Sequence, residues 1–302
     1  MDKVVITGGT GFIGMSLAKY LANKGFEPIL IARNEPKGAI PFTFLPWDGR
    51  SLGDWVEALE GAKAVVNLAG KTVDCIKTPD NCDLILRSRV ASTRALGKAL
   101  TKVQRPPLVW VQMSTAHIYG DPPSTCCTES SSFGYGLAPF VGEQWEKAFL
   151  DSLPRGVRGV RLRTSFVIGK EGGALPQLKK IVRMGIGGRV AQGKQGMSWI
   201  HEDDLNELIL QSILNEHFEG AYIASAPNPL SNRDFMKQLR QAMSMPFGLA
   251  APAWMIRLGA RIVFKTDPDL VLYGRYLKSE RLESAGFSFK FPNLNAALSD
   301  LI

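Results

Sequence analysis

The sequence predicts an α/β fold, a Rossmann-like doubly wound parallel sheet with a smaller, mainly helical C-terminal lobe, and three features predict it. Val4-Val5-Ile6 is an apolar, β-branched run without polar interruption, as expected of a strand buried on both faces. Glycines at positions 8, 9, 11 and 14 follow at once, and Met15 to Leu21 then takes up helical spacing. Segments of strand and helix character go on alternating through the first half of the chain, which implies parallel strands joined by right-handed crossovers.

The elements follow in order. A helix is expected over 12–24, after the glycine turn. Pro28 to Ala32 is the second strand, and Phe42 to Pro46, the third, ends in Trp47-Asp48. A short helix near 52–60 precedes the fourth strand, Ala64 to Leu68. A long helix at about 82–103 stops before Pro106-Pro107, because a residue ahead of proline is pushed out of the α region. Leu108 to Met113 is the fifth strand, followed by a helix at 137–151 and a strand from Gly159 to Arg163. From about residue 170 glycines punctuate a loop-rich stretch. A helix at 203–215 and a strand at 220–224 lead into a mainly helical C-terminal part, in which Pro252 to Val263 reads as an apolar helix with proline at its start.

The glycine turn is the first functional signal. Glycine permits the sharp turn and lets a phosphate approach the backbone without meeting a Cβ. The helix beyond it presents free N–H groups and the positive end of its dipole. Gly9, Gly11 and Gly14 satisfy G-x-G-x-x-G, and Gly8, Gly11 and Gly14 satisfy G-x-x-G-x-x-G, between a strand and a helix, the setting in which the pattern marks a dinucleotide site. Thr7, Phe12 and Ile13 flank the same turn. Arg33 follows the second strand, where an NAD-binding chain carries a carboxylate for the ribose hydroxyls. A guanidinium there suits a 2′-phosphate and points to NADP(H), the alternative being a solvated surface arginine. The expected division is a dinucleotide-binding domain over 1–168, to which helix 203–215 and strand 220–224 return, and a substrate lobe over 169–302.

Ligands of such sheets bind beyond the carboxyl ends of the strands. Gly8, Arg33, Asp48, Asn67 to Gly70, Ser114 and Arg163 all fall at or just after predicted strand ends. Composition is that of an ordinary globular chain: 302 residues, 45% hydrophobic, 21% charged, net charge +8. The basic residues are scattered, which argues against a nucleic-acid surface and suits an anionic cofactor or substrate. No run approaches the ~20 apolar residues of a membrane span. The four cysteines, Cys75, Cys82, Cys126 and Cys127, form no C-x-x-C, and the three histidines are not spaced as metal ligands beside them, so no metal is expected. Reduced thiols and a first strand beginning at about residue 3 fit a cytoplasmic protein without a leader peptide.

Several motifs together resemble the extended short-chain dehydrogenases/reductases. Thr7 to Gly14 resembles their glycine turn, Asn67-Leu68-Ala69-Gly70 their strand-four motif beneath the adenine and ribose, and Met113-Ser114-Thr115-Ala116-His117-Ile118-Tyr119-Gly120 the strand-five end that carries a catalytic serine or threonine. A narrower resemblance, to an NADP-dependent epimerase family formerly described as cell-division-inhibitor-like, spans nearly the whole chain. It rests on Trp47-Asp48, Ser88-Arg89, Trp145-Glu146, Gly172 to Leu175, Gly193 to His201, and Gly286 to Pro292 in that family's distinctive C-terminal domain. The resemblance implies cofactor contacts from Trp47, Asp48, Leu68, Ala69, Gly70, Arg89, Ser114 and Arg163, besides the turn and Arg33. It implies catalytic roles for Ser114, Thr115 and Tyr119, and a substrate segment with Gln195, Trp199 and His201. His117 and Tyr135 are further possible proton donors.

One departure matters. The superfamily's Tyr-x-x-x-Lys is missing: Tyr135 has Pro139 four residues on, and alignment on Trp145-Glu146 puts Ala138 and Gly142 at the tyrosine and lysine places. Two classes of function stay open. One is an NADP-dependent oxidoreductase or epimerase of a small carbonyl or hydroxyl substrate with an atypical proton relay. The other is a catalytically inactive NADP(H)-binding sensor or partner-binding protein.

Overall fold

A computed structural model describes residues 1–36, 38–122, 124–262 and 267–302. The central sheet has seven strands, β1 (Lys3–Thr7), β2 (Glu27–Ala32), β3 (Thr43–Pro46), β4 (Ala64–Asn67), β5 (Val109–Thr115), β7 (Arg158–Thr164) and β11 (Gly220–Ala224). They run in the order β11-β7-β5-β4-β1-β2-β3, with every neighbouring pair parallel. The order reverses at β1, the place where such sheets open a crevice for ligands.

Burial on both faces explains the apolar runs. Val4, Ile6, Ala64, Val66, Val109 and Val111 enter one hydrophobic cluster, while Val5, Val65 and Trp110, their alternate neighbours, enter another. Helices α1 (Phe12–Asn23) and α5 (Glu202–Leu214) fill the first cluster with Leu17, Ala18, Leu21, Leu205 and Leu208. The second is filled by Ala95, Leu96, Ala99 and Leu100 of α2 (Pro79–Leu100) and Phe149 of α3 (Leu137–Ser152).

Caps account for the shifted boundaries. α2 begins at Pro79, earlier than its apolar spacing suggests, because the Thr78 hydroxyl accepts from the Asn81 N–H and proline suits the first helical turn. α5 begins one residue early because His201 caps it: its Nδ1 accepts from the Asp203 N–H at 3.1 Å, a role that sequence rules reserve for Ser, Thr, Asp and Asn.

Beyond β7, the short strands β8 (Phe166–Ile168) and β10 (Trp199–His201) pair in parallel. β9 (Gly196–Met197) pairs with β12 (Leu230–Ser231), and β6 (Cys126–Cys127) with β13 (Tyr276–Leu277). The C-terminal part is helical: α4 (Leu175–Arg183), α6 (Asn232–Ala242), α7 (Ala253–Ile262), α8 (Asp269–Leu272), α9 (Glu280–Ser284) and α10 (Leu294–Leu301). Val263, the expected end of the α7 segment, lies outside the described residues. A third cluster joins Ile168, Trp199, Phe235, Leu239, Phe291 and Leu298, so α6, α10 and the β8–β10 pair share one core. Asp204 on α5 fastens the tail to the sheet side: its carboxylate accepts from the N–H groups of Lys290 at 2.6 Å and Phe291 at 3.1 Å. Among the described residues no helix is long and apolar enough to cross a membrane.

Candidate functional site

The turn between β1 and α1 has the form a phosphate needs. Gly8 stands at φ +69°, and a Cβ there would lie 2.8 Å from the Leu68 backbone. A Cβ on Gly14 would lie 2.6 Å from Gly9, so the helix is seated directly on the turn. Gly11 differs, since its Cβ would meet only the Gly8 carbonyl oxygen, at 3.3 Å, and it faces outward. No side chain caps α1 and its first turn holds no acid, leaving its N–H groups and positive dipole end for an incoming anion. Arg33 is exposed just past β2, and among the described residues it has no hydrogen-bond or ion-pair partner. An uncapped helix end behind outward-facing glycine, with a free guanidinium one strand away, fits a dinucleotide bearing a 2′-phosphate.

The other expected cofactor residues divide. Thr7 is fully buried and donates to Asn67 Oδ1 at 2.6 Å, while Asn67 reaches Gln112 at 2.9 Å, so Thr7 ties β1 to β4 through its side chain. Phe12 and Ile13 turn inward; a Cβ on Gly172 would collide with the Phe12 ring, and Ile13 packs on the first cluster. Trp47 is buried, donating to the Ser51 carbonyl at 2.8 Å. The Asp48 carboxylate accepts from the backbone N–H of Ser51 and Arg50 and from the Ser51 hydroxyl, and these bonds hold it below the usual carboxylate range. This pair shapes the loop after β3. Leu68 and Ala69 are half-buried and Gly70 is exposed beside Arg89, whose guanidinium carbon would lie 3.3 Å from a Cβ on Gly70.

The end of β5 holds a buried ion network. Glu146 from α3 accepts from Ser114 at 2.7 Å, from Arg163 at 2.8 and 2.9 Å, and from Arg161 at 3.1 Å. Burial works to raise the Glu146 carboxyl, but Arg163, Ser114 and Arg161 outweigh it and hold the group below its ordinary value. Arg163 also donates to the Tyr119 hydroxyl at 2.8 Å, and burial pushes that phenol up to about 12. Ser114, Tyr119 and Arg163 thus meet in one network. All three are nearly sealed, and they are joined to one another through Glu146 and Arg163. Thr115 and His117, both half-buried, lie at the same strand end, with the Thr115 hydroxyl accepting from the His117 N–H at 3.2 Å.

His117 lies in a field of positive charge. Burial, and then the charges of Arg275, Lys77 and Arg89, push its imidazole down to about 3. Arg89 donates to the carbonyls of Lys71 and Ile85, each at 3.0 Å, and lies 5.0 Å over the Trp145 ring. Arg275 comes from the segment before β13 and donates through Nε to the Gly120 carbonyl. Gly120 in turn donates to the His117 carbonyl at 3.0 Å. Sequence reasoning passed over Arg275 and Lys77, and took Glu146 only as part of a motif.

The structure places the residues of the expected substrate segment as follows. Trp199 is fully buried in the third cluster. His201 is 1% exposed, caps α5 and lies 4.0 Å from the Phe291 ring, and burial lowers its pKa. Gln195 donates to the Val271 carbonyl at 3.2 Å. The absent Tyr-x-x-x-Lys also has a steric counterpart. Tyr135 is 98% exposed, and a Cβ on Gly142 would lie 3.1 Å from Ile118 and 3.2 Å from Thr115, which crowds any lysine in that register. Among the described residues no three His, Cys, Asp or Glu side chains gather as a metal site.

Comparison with known proteins agrees with this geometry. The profile of the NAD dependent epimerase/dehydratase family matches residues 4–222, and that of a domain of unknown function, DUF1731, matches residues 251–301. The whole chain is 30% identical to 99% of an epimerase family protein of Staphylococcus haemolyticus. The mouse epimerase family protein SDR39U1 is also 30% identical, over 99% of each chain. The crystal structure of human SDR39U1 isoform 2 with NADPH superposes at a TM-score of 0.88 and 27% identity, covering 99% of this chain and 98% of that one.

Proposed function

The chain belongs to the NAD dependent epimerase/dehydratase family, and on that premise we propose that it is an NADP(H)-dependent oxidoreductase or epimerase of a small carbonyl or hydroxyl substrate that works without a Tyr-x-x-x-Lys pair. The observation that carries the reading is the uncapped, acid-free N-terminus of α1 behind the glycine turn, with the unpartnered Arg33 beside it. The glycine turn would hold the pyrophosphate and Arg33 the 2′-phosphate. NADPH in the solved structure of human SDR39U1 supports the choice of cofactor.

Bound NADP(H) supplies hydride transfer, and the protein supplies position and proton handling. Thr115 and His117 are half-buried polar groups at the β5 end. The imidazole, held near 3, is neutral at physiological pH, so a ring N–H can donate to a substrate oxygen without a charge of its own. Ser114 acts one layer beneath, fixing the strand end through Glu146. The free cysteines Cys75, Cys82, Cys126 and Cys127 support a reducing, cytoplasmic setting.

The test is calorimetry with NADPH and NADH, followed by NADPH oxidation against a panel of small aldehydes and ketones. Tight NADPH binding with turnover of one carbonyl class is expected. Equal affinity for NADPH and NADH would overturn the cofactor assignment. Tight binding with no turnover would favour the sensor reading, to which the sealed Ser114 and Tyr119 already lend weight.

A further inference from the structure

Basic residues are scattered along the sequence, but the excess of positive charge is not. The stretches 172–201 and 235–266 hold ten of the chain's 36 lysines and arginines and none of its 28 aspartates and glutamates. They account for the whole net charge of +8, and the rest of the chain is close to neutral. The fold brings the two together. The Leu249 N–H donates to the Gly185 carbonyl at 2.9 Å, Gly188 to Leu249 at 3.1 Å, and Ala251 to Arg189 at 3.0 Å. Arg240 of α6 secures the junction by donating to the Gly187 carbonyl at 2.7 Å. The four acids that border the stretches are each engaged: Glu171 with Lys19, Glu202 with Ser16, Asp234 with Ser231 and Asp267 with Lys77.

The outside of this junction is apolar. Met184 and Ile186 are 50% and 42% exposed on one loop, and Phe247 and Leu249 are 63% and 64% exposed on the other. A Cβ on Gly185 would lie 3.7 Å from the Phe247 ring, so the two loops offer one surface. α7 begins two residues past Ala251 and turns out Trp254, Met255 and Leu258, at the three- and four-residue spacings of one helix side. Trp254 is 65% exposed, whereas none of the other five tryptophans exceeds 5%. Aromatic side chains such as Phe247 and Trp254 bury about 150–250 Å² each when covered, and an exposed apolar patch beyond a few hundred Å² marks an interaction surface. Lys180, Arg183, Arg189, Lys237 and Arg257 are exposed on the same segments.

We propose that this face docks on an anionic lipid surface, with Phe247, Leu249, Trp254 and Leu258 entering the headgroup region and the lysines and arginines meeting lipid phosphates. The property goes beyond the proposed function and does not depend on it. Charge complementarity chooses the occupant. A second copy would set like charges against one another. A folded partner presents its charges at points and tolerates acids between them, whereas an anionic plane repels every carboxylate on the face, and neither stretch holds one. Tryptophan and phenylalanine beside lysine and arginine are also the composition of elements that lie in a membrane interface. With ten residues, α7 lies on such a surface and does not span it.

The test uses the whole chain with vesicles of phosphatidylcholine, pure or mixed with phosphatidylglycerol. Co-sedimentation with the mixed vesicles is expected, weakening as salt is added and at least about tenfold weaker on pure phosphatidylcholine. Trp254 is the one exposed tryptophan of six, so emission should shift to the blue on binding and be quenched by bromine-labelled acyl chains. Trp254→Ser with Leu258→Ser should weaken binding at least about tenfold, as should Lys180→Glu with Arg183→Glu, with NADPH affinity unchanged. Arg87→Gln, an exposed residue paired with Asp83, should change nothing. No binding of the wild type to the mixed vesicles overturns the proposal. So does equal binding to both kinds of vesicle, binding that neither double variant weakens, or binding without quenching. A lipid-free dimer that shields Trp254 from acrylamide would overturn it in favour of a second copy. Soluble polyglutamate bound as tightly as the vesicles would overturn it in favour of an acidic protein. If a variant fails to fold, lipid dependence and quenching of the wild type still decide.

Discussion

Replacing Glu146 by glutamine tests the buried network directly. The Glu146 side chain is 5% exposed, and those of Arg163 and Arg161 are 7% and 17% exposed. The carboxylate receives four hydrogen bonds, between 2.7 and 3.1 Å, from Ser114, Arg163 and Arg161. Glutamine keeps the size but turns an N–H toward a guanidinium N–H, so at least one bond becomes a donor facing a donor. The buried Arg163 and the half-buried Arg161 also lose their counter-charge. Breaking a buried pair from one side costs about 3–5 kcal/mol, a large part of the ~5–15 kcal/mol by which a typical protein is stable.

The assay is urea unfolding at pH 7, followed by tryptophan fluorescence. The pH profile gives a second readout. Burial raises the Glu146 carboxyl, but Arg163 and its neighbours leave it below its unfolded value. Its stabilisation is therefore present above the unfolded value and is lost as pH falls through the lower folded value. The wild-type advantage over Glu146→Gln should shrink on acidification through that window. A loss below about 1 kcal/mol at pH 7, the size of a single ordinary hydrogen bond, would refute the claim that Glu146 carries the charge balance of this strand end.

Further outcomes are expected elsewhere. Arg33→Ala should weaken NADPH by roughly 10- to 150-fold, about 1.5–3 kcal/mol for one charge-assisted contact, and leave NADH affinity unchanged, as calorimetry will show. Gly11→Val should fold, because its backbone is extended and its Cβ meets only Gly8, yet lose NADPH binding; unaltered binding would make the turn purely structural. Gly8→Ala should instead lose thermal stability, since its φ of +69° and the Leu68 backbone at 2.8 Å leave no room for a Cβ. Leu298→Ala, fully buried on α10, should cost about 2–5 kcal/mol in urea unfolding.

The sheet was legible because parallel strands buried on both faces leave continuous apolar runs, and because the β1 turn needs glycines that nothing else replaces. The place of Arg33 was legible for a similar reason, since it directly follows one apolar strand. The partners of Ser114 and Tyr119 were not legible because they come from far along the chain: Glu146 is 32 residues beyond Ser114, and Arg163 is 44 beyond Tyr119. The packing of Trp199 and His201 was not legible, because Phe291 and α10 cover them and no local pattern reveals a cover drawn from the chain end. Arg275 carried no local signal; it is defined by the Gly120 carbonyl it reaches.

The clasp between α5 and the tail limits how this chain can be taken apart or recombined. Asp204 grips the backbone at Lys290 and Phe291, and His201 both starts α5 and backs onto the Phe291 ring. The partners lie on opposite sides of the boundary between the two family matches. A truncation after residue 222 would strip Trp199 of its cover and leave the Asp204 carboxylate without the amides that satisfy it. A chimaera that borrows its C-terminal region from a relative would need matched residues on both sides of the clasp. The tail is thus no detachable cassette, and the two regions are expected to have diverged as co-inherited halves of one interface.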